Sequence, residues 1–216
     1  MKSEISEMDI KSRVEKIGKD IRKEPVIVLA KTEIVEIDDV LNYMKSECLK
    51  KKIDFQLQLS GNIYKMINNY VSKDELEILL ADHIKNAIIA IEYSENINKS
   101  ILVRLGRLDG TYGLYVYDSG IEFEKETLLK LGKKPATTHK DSGGTGMGFM
   151  NTFDTLRKHN ASFIIEEYGK PVTDNFTKVL KFKFDGKKEF KICTYRKEEI
   201  EKQDKEKTLV VEKLIF

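Results

Sequence analysis

Three groups of residues have the types and spacing that chemistry needs. Asp82 and Asn86 stand four apart in LLADHIKNAIIAI, so on a helix both project from one side, one turn apart. They border a stripe that is otherwise apolar, where a carboxylate and an amide need partners. A Mg²⁺ ion with its phosphates supplies such partners, because Mg²⁺ takes hard oxygen ligands. Water on an open helix face supplies them equally well. The second group is Asp118-Ser119-Gly120-Ile121-Glu122, where an expected strand ends. A carboxylate there can accept from an amino group such as that of adenine, with Gly120 permitting close approach, or it can simply close an Asx turn. The third is Gly143-Gly144-Thr145-Gly146-Met147-Gly148, opening a helical pattern. Successive glycines let backbone N–H groups face an anion at a helix N-terminus. No Lys-Ser/Thr pair follows, so this is not a Walker A loop, and the spacing of a dinucleotide fingerprint fails. Lys133, Lys134 and Lys140, just upstream, have the reach to touch phosphates or to lie in solvent.

These groups need a scaffold, and the patterning supplies one. Ser72 and Glu75 form a capping-box signature ahead of Leu76, Leu79, Leu80, His83, Ile84, Ala87, Ile88 and Ile91, the longest helical stripe in the chain. His83 falls on its apolar side and is expected to pack in the core. Further helices are expected over 37–51, 63–70, 125–131 and 146–159. His159 ends the last of these, where a cation complements the helix dipole. Strands are expected over 53–60, 101–108, 114–118, 161–168, 177–184 and 189–195, with Asp109-Gly110 turning the second into the third. Residues 3–23 read as an amphipathic arm with Ile10, Val14, Ile17 and Ile21 at 4-3-4 spacing, suited to a coiled-coil seam or to packing on the domain. The simplest assembly is an α/β two-layer sandwich, a mixed β-sheet covered on one face by helices. Residues 1–36 would be a helical arm, 37–195 the domain, and 196–216 a charged C-terminal extension.

Composition limits the partners. Lys and Arg total 38 against 36 Asp and Glu, a formal net charge of +2. Nucleic-acid binding wants a dense excess of cations, so no nucleic-acid partner is expected. Cys48 and Cys193 lie far apart without metal-type spacing and read as free thiols of a reducing cytosol. No apolar run reaches the roughly 20 residues that cross a bilayer. A cytoplasmic location is expected, either as a free protein or as the cytoplasmic part of a membrane sensor.

The order of the three groups is more specific than any one of them. An acid-x-x-x-Asn helix, a strand ending in Asp-x-Gly, and a Thr/Lys loop running into Gly-x-Gly-x-Gly resemble the GHKL ATP-binding (Bergerat) fold. The resemblance covers roughly residues 37–195 and looks closest to sensor histidine kinases of Gram-positive, clostridial type. It implies ATP and Mg²⁺ as cofactors, with Asn86 on the metal. It implies Asp118 on the adenine amino group, Gly120 beside the base, and Thr177 backing the aspartate through a water. Gly144, Gly146 and Gly148 would cradle phosphates, with Thr145 and Met147 between them and Lys140 reaching in from a lid over 132–145. Asp82 stands where ATP-hydrolysing branches keep a water-activating carboxylate. Its readings are a base, a ligand of metal-bound water, or a plain polar helix residue. Glu122 departs from the family pattern, which has glycine there. The implied activity is transfer of the γ-phosphoryl group to a histidine. Residues 3–23 contain no histidine, so the acceptor is expected on a dimerisation domain, in cis or in trans, with a response regulator downstream. Self-association through the N-terminal helix is a further expectation. An ATPase, or a nucleotide-sensing, anti-sigma-like binding module, remains as the alternative.

Overall fold

The computed structural model describes residues 29–131, 147–168, 176–201 and 210–212. The N-terminal arm expected over 3–23 and the lid over 132–145 lie outside these residues. In chain order the elements are α1 (Val35–Lys50), β1 (Asp54–Ser60), α2 (Ile63–Asn69), α3 (Lys73–Glu92), β2 (Ser100–Leu108), β3 (Thr111–Asp118), α4 (Lys125–Lys130) and α5 (Met147–Lys158). They continue with β4 (Ser162–Glu167), β5 (Lys178–Phe184), β6 (Phe190–Thr194), α6 (Lys197–Glu201) and β7 (Val210–Glu212).

The seven strands form one mixed sheet in the order β1-β2-β3-β5-β4-β6-β7. The β1–β2, β4–β6 and β6–β7 pairs are parallel, and the other three are antiparallel. Asp109 (φ 49°) and Gly110 (φ 85°) close β2 onto β3. Two consecutive positive φ values are what a tight type I′ hairpin requires. Val210–Glu212, set aside from sequence as part of a charged extension, pairs beside β6 as the seventh strand.

The helices cover the face that carries Phe163, Ile165, Leu180 and Phe182. On that face Phe182 stacks on Phe163 at 4.9 Å, and Phe163 on Phe190 at 5.5 Å. From α1, Ile37, Leu41, Met44 and Cys48 are buried against it. Burial pushes the Cys48 thiol up to about 12, which makes it a small core hydrophobe rather than a reactive group.

The helix α3 is the central scaffold. Ser72 Oγ accepts from Glu75 N–H, and the Glu75 carboxylate accepts from Ser72 N–H, completing the expected capping box. The same Glu75 carboxylate accepts from Lys158 Nζ at 2.8 Å and lies 2.7 Å from His159 Nε2. The start of α3 is thereby fastened to the end of α5. Further along, His83 is fully buried, 2.8 Å from Thr152 Oγ1 and between the rings of Phe149 and Phe182. Burial lowers its pKa to about 3, so the ring is a neutral core group, as its place on the stripe suggested. These two contacts make α3 and α5 antiparallel.

The Glu75 fastening has a measurable consequence. Burial alone would raise its pKa, but hydrogen bonds from Lys158, Ser72 and His159 outweigh that and hold it at about 2. A carboxylate depressed in the folded state stabilises the fold above its unfolded pKa, and that contribution disappears as pH falls through the folded value. Glu75→Gln keeps the capping pattern but removes the charge. It should cost about 2 kcal/mol at neutral pH. It should also flatten the loss of stability between the ordinary carboxylate value of 4.5 and about 2. Urea unfolding at several pH values measures both, and parallel curves for parent and variant would show the carboxylate carries no such role.

Candidate functional site

Two of the expected site residues, Asp82 and Asn86, lie on α3. Asp82 and Asn86 are both half-buried on one side of the helix, and neither side chain makes a hydrogen bond among the described residues. Burial raises the Asp82 carboxyl above its usual range, against the opposing charge of Lys85. One turn beyond Asn86, Ala90 meets the corner that follows β3: Ile121 N–H donates to Ala90 O at 3.0 Å. That places the Asp118 corner about 6 Å along the helix axis from Asn86. Because α5 runs antiparallel to α3, its N-terminus points toward the Asn86 end. Met147 and Gly148 open that helix, while Lys140, Gly144, Thr145 and Gly146 lie outside the described residues.

Gly120 holds the corner against α3. A Cβ there would lie 2.6 Å from the Ala90 carbonyl carbon, 2.7 Å from Ala90 Cβ and 2.7 Å from Ile91 N. The glycine is thus required for helix contact, in addition to any approach by a ligand.

Asp118 is 2% exposed and makes two interactions through one oxygen. Oδ1 accepts from Gly120 N–H at 2.8 Å, which is the Asx turn the sequence allowed, and from Lys178 Nζ at 2.5 Å. Burial raises this carboxyl, and the pull of Lys178 and the Gly120 N–H works against that rise. Lys178 is itself 3% exposed and also donates to Ile121 O at 2.6 Å. Thr177 lies beside the turn that carries the carboxylate. Its hydroxyl donates to Gly120 O at 2.5 Å, with Asp118 O at 3.2 Å, so it supports the main chain of the turn. Lys178 is the side chain that touches the carboxylate.

Lys178 escaped the sequence reading, although a signal was present. It shares strand parity with Leu180, Phe182 and Phe184, which line the buried face. A lysine at such a position must find a counter-charge.

Glu122, in the place where the family has glycine, is also accounted for. It accepts from the Tyr195 hydroxyl and lies 3.5 Å from Arg196 Nε. Arg196 Nη2 donates to the buried Glu167 carboxylate at 2.6 Å and to Phe123 O at 2.9 Å, while Phe123 N–H donates back to Glu167 at 3.0 Å. Thr194 Oγ1 also donates to Glu167, at 3.0 Å. The loop after Asp118 is thus clamped on both its N–H and C=O sides by residues at the ends of β4 and β6. No helix among the described residues is long and apolar enough to cross a membrane.

No protein-family model matches this chain, and no curated protein matches it. Among solved structures it is similar to the catalytic domain of the histidine kinase ThkA in a nucleotide-free form, at 20% identity and a TM-score of 0.50, over 68% of this chain and 90% of that one. A second nucleotide-free crystal form of the ThkA domain matches at 19% identity and a TM-score of 0.51, over 71% and 91%. The mixed sheet, the α3 scaffold and the Asp-x-Gly corner therefore belong to a chain with the fold of the histidine-kinase catalytic domain.

Proposed function

We propose that this chain binds Mg-ATP as the catalytic part of a histidine kinase and passes the γ-phosphoryl group to a histidine on a dimerisation domain. The observation that carries this reading is the arrangement along α3. Asn86, whose amide makes no hydrogen bond among the described residues, lies one turn from Ala90, where the buried Asp118 corner sits. The Ile121 N–H bond to Ala90 O joins the corner that bears the carboxylate to the helix that bears the amide, which supports reading the two as parts of one nucleotide site. The N-terminus of α5, with its partial positive charge, points to the same end and suits phosphates.

The residues fit Mg²⁺. Asn86 and Asp82 offer hard oxygens with no hydrogen bond among the described residues, which is the donor type that ion takes alongside phosphate oxygens. When bound it would neutralise charge on the phosphates during transfer. Asn86 would hold it; Asp118 would accept from the adenine amine; Gly144, Gly146 and Gly148 would present main-chain N–H groups. A response regulator would receive the phosphoryl group from the histidine. A second reading, ATP hydrolysis, is favoured by one observation. The half-buried Asp82 has a raised pKa, as suits a group that takes a proton from water.

Products from labelled ATP separate the two. Phosphohistidine on a supplied dimerisation domain supports the kinase, and free phosphate that disappears in Asp82→Asn supports the ATPase. Calorimetry tests the binding reading directly. The parent should bind ATP more tightly with Mg²⁺ than without, and Asn86→Ala should lose that difference while keeping its Mg²⁺-independent affinity. An unchanged response to Mg²⁺ would take Asn86 out of the metal role.

A further inference from the structure

The Lys178–Asp118 pair leaves two polar valences open next to each other. An ammonium has three N–H donors. Lys178 engages two of them, on Asp118 Oδ1 and on Ile121 O. Asp118 uses Oδ1 for both of its interactions, and its Oδ2 accepts no hydrogen bond among the described residues. The two side chains are only 4% and 2% exposed, but Oδ2 is not fully enclosed, so the pair can be reached from outside through that oxygen. The Phe123 ring, with its centroid 5.7 Å from Lys178 Nζ, adds an apolar wall beside the ammonium.

One free donor beside one free carboxylate oxygen is a complement to a planar edge that accepts at one atom and donates at the next. The adenine edge does this, with ring nitrogen N1 accepting beside an exocyclic amine that donates. We propose that Lys178 is a base-reading residue, its remaining N–H donating directly to adenine N1 while Asp118 Oδ2 accepts from the amine. This rests on the ATP-binding reading above and goes beyond it, since it assigns a direct charged contact to a second atom of the base. Lys178 suits the part because β5 fixes its backbone, and its two existing bonds hold the ammonium before any ligand arrives. Preorganisation of that kind limits what must be ordered on binding.

Changing one ligand atom tests the contact. In 1-deaza-ATP a C–H replaces N1 and the amine remains. A charge-assisted hydrogen bond corresponds to a roughly 10–150-fold affinity difference. The parent chain should therefore bind 1-deaza-ATP about 10–150-fold more weakly than ATP, and 7-deaza-ATP about as well as ATP. Lys178→Met should bind ATP and 1-deaza-ATP alike, and Lys178→Arg should regain discrimination. Calorimetry in the presence of Mg²⁺ reads each affinity. Equal binding of ATP and 1-deaza-ATP by the parent overturns the proposal while leaving the nucleotide site standing. GTP binding as tightly as ATP overturns the adenine assignment, since guanine presents the reverse order of acceptor and donor. Failure of the parent to bind ATP at all sinks the ATP-binding reading and this proposal with it. The comparison within the parent chain needs no variant, so it decides the contact even where Lys178→Met fails to fold.

Discussion

Asp118→Asn is expected to cost the folded chain about 3–5 kcal/mol, because it leaves the Lys178 ammonium buried without its counter-charge. The family resemblance alone predicts that nucleotide affinity falls more than stability does. The buried pair changes that expectation. Both side chains are almost fully enclosed, and the carboxylate oxygen that Lys178 touches is also the one that closes the turn at Gly120. Adding Lys178→Met should recover most of the lost stability, since an apolar side chain of similar length needs no partner. Urea unfolding of the parent, the two single variants and the double variant completes the cycle and isolates the coupling. A loss below about 1 kcal/mol in Asp118→Asn would show that the pair contributes little in solution. The double variant also makes a clean ligand test, because its fold is not compromised by a lone buried charge. Its ATP affinity should fall by at least roughly 10-fold, the lower end for one charge-assisted bond. Full affinity in that variant would remove Asp118 from the base.

Gly120→Ala is expected to destabilise the chain by about 1–3 kcal/mol and to weaken ATP binding together with stability. The added methyl would lie within 2.7 Å of Ala90 C, Ala90 Cβ and Ile91 N. None of these is the flexible end of a side chain, so relief requires the corner to move away from α3. That movement would stretch the Ile121 N–H bond to Ala90 O and the Thr177 hydroxyl bond to Gly120 O. A thermal melt and an ATP titration measure the two effects. A variant as stable as the parent would mean that the corner and the helix are less tightly apposed than these distances indicate. The Glu122 clamp sets a useful contrast. Glu122 side-chain contacts lie at the surface, so Glu122→Gly, which restores the family's residue, should change stability far less.

Local sequence rules settled much of this protein. The capping box at Ser72 and Glu75, the Asp109-Gly110 hairpin, the alternation of β1 and the apolar stripe of α3 all depend on neighbours within a few positions, and the structure has them close to where the patterns predicted, while β3 starts three residues earlier than expected, at Thr111. The buried, neutral His83 was legible for the same reason, as its place on the stripe dictated its surroundings. The sequential order of the Asn86, Asp118 and glycine-run motifs was enough to suggest the fold, because motif order follows chain connectivity.

What the tertiary structure alone decided involves partners far apart in the chain. Lys178 meets Asp118 across 60 residues, and Arg196 meets Glu167 across 29. Periodicity marks each as a charged group near a buried surface but does not name its partner. Glu122 looked like a gap in a glycine motif, and only the packing of β6 beside β4 supplied Tyr195 and Arg196 to engage it. The short run at Val210–Glu212 has too few residues to declare itself as a strand, and it became one because β6 offered an open edge. Gly120 makes the same point from the opposite direction. Its sequence context suggested room for a ligand, and the fold shows a backbone contact with Ala90 that no side chain permits. Short-range patterns fix which residues are helical, extended or buried. Which charge neutralises which, and which glycine is indispensable, depends on surfaces that meet only when the sheet and its helices have assembled.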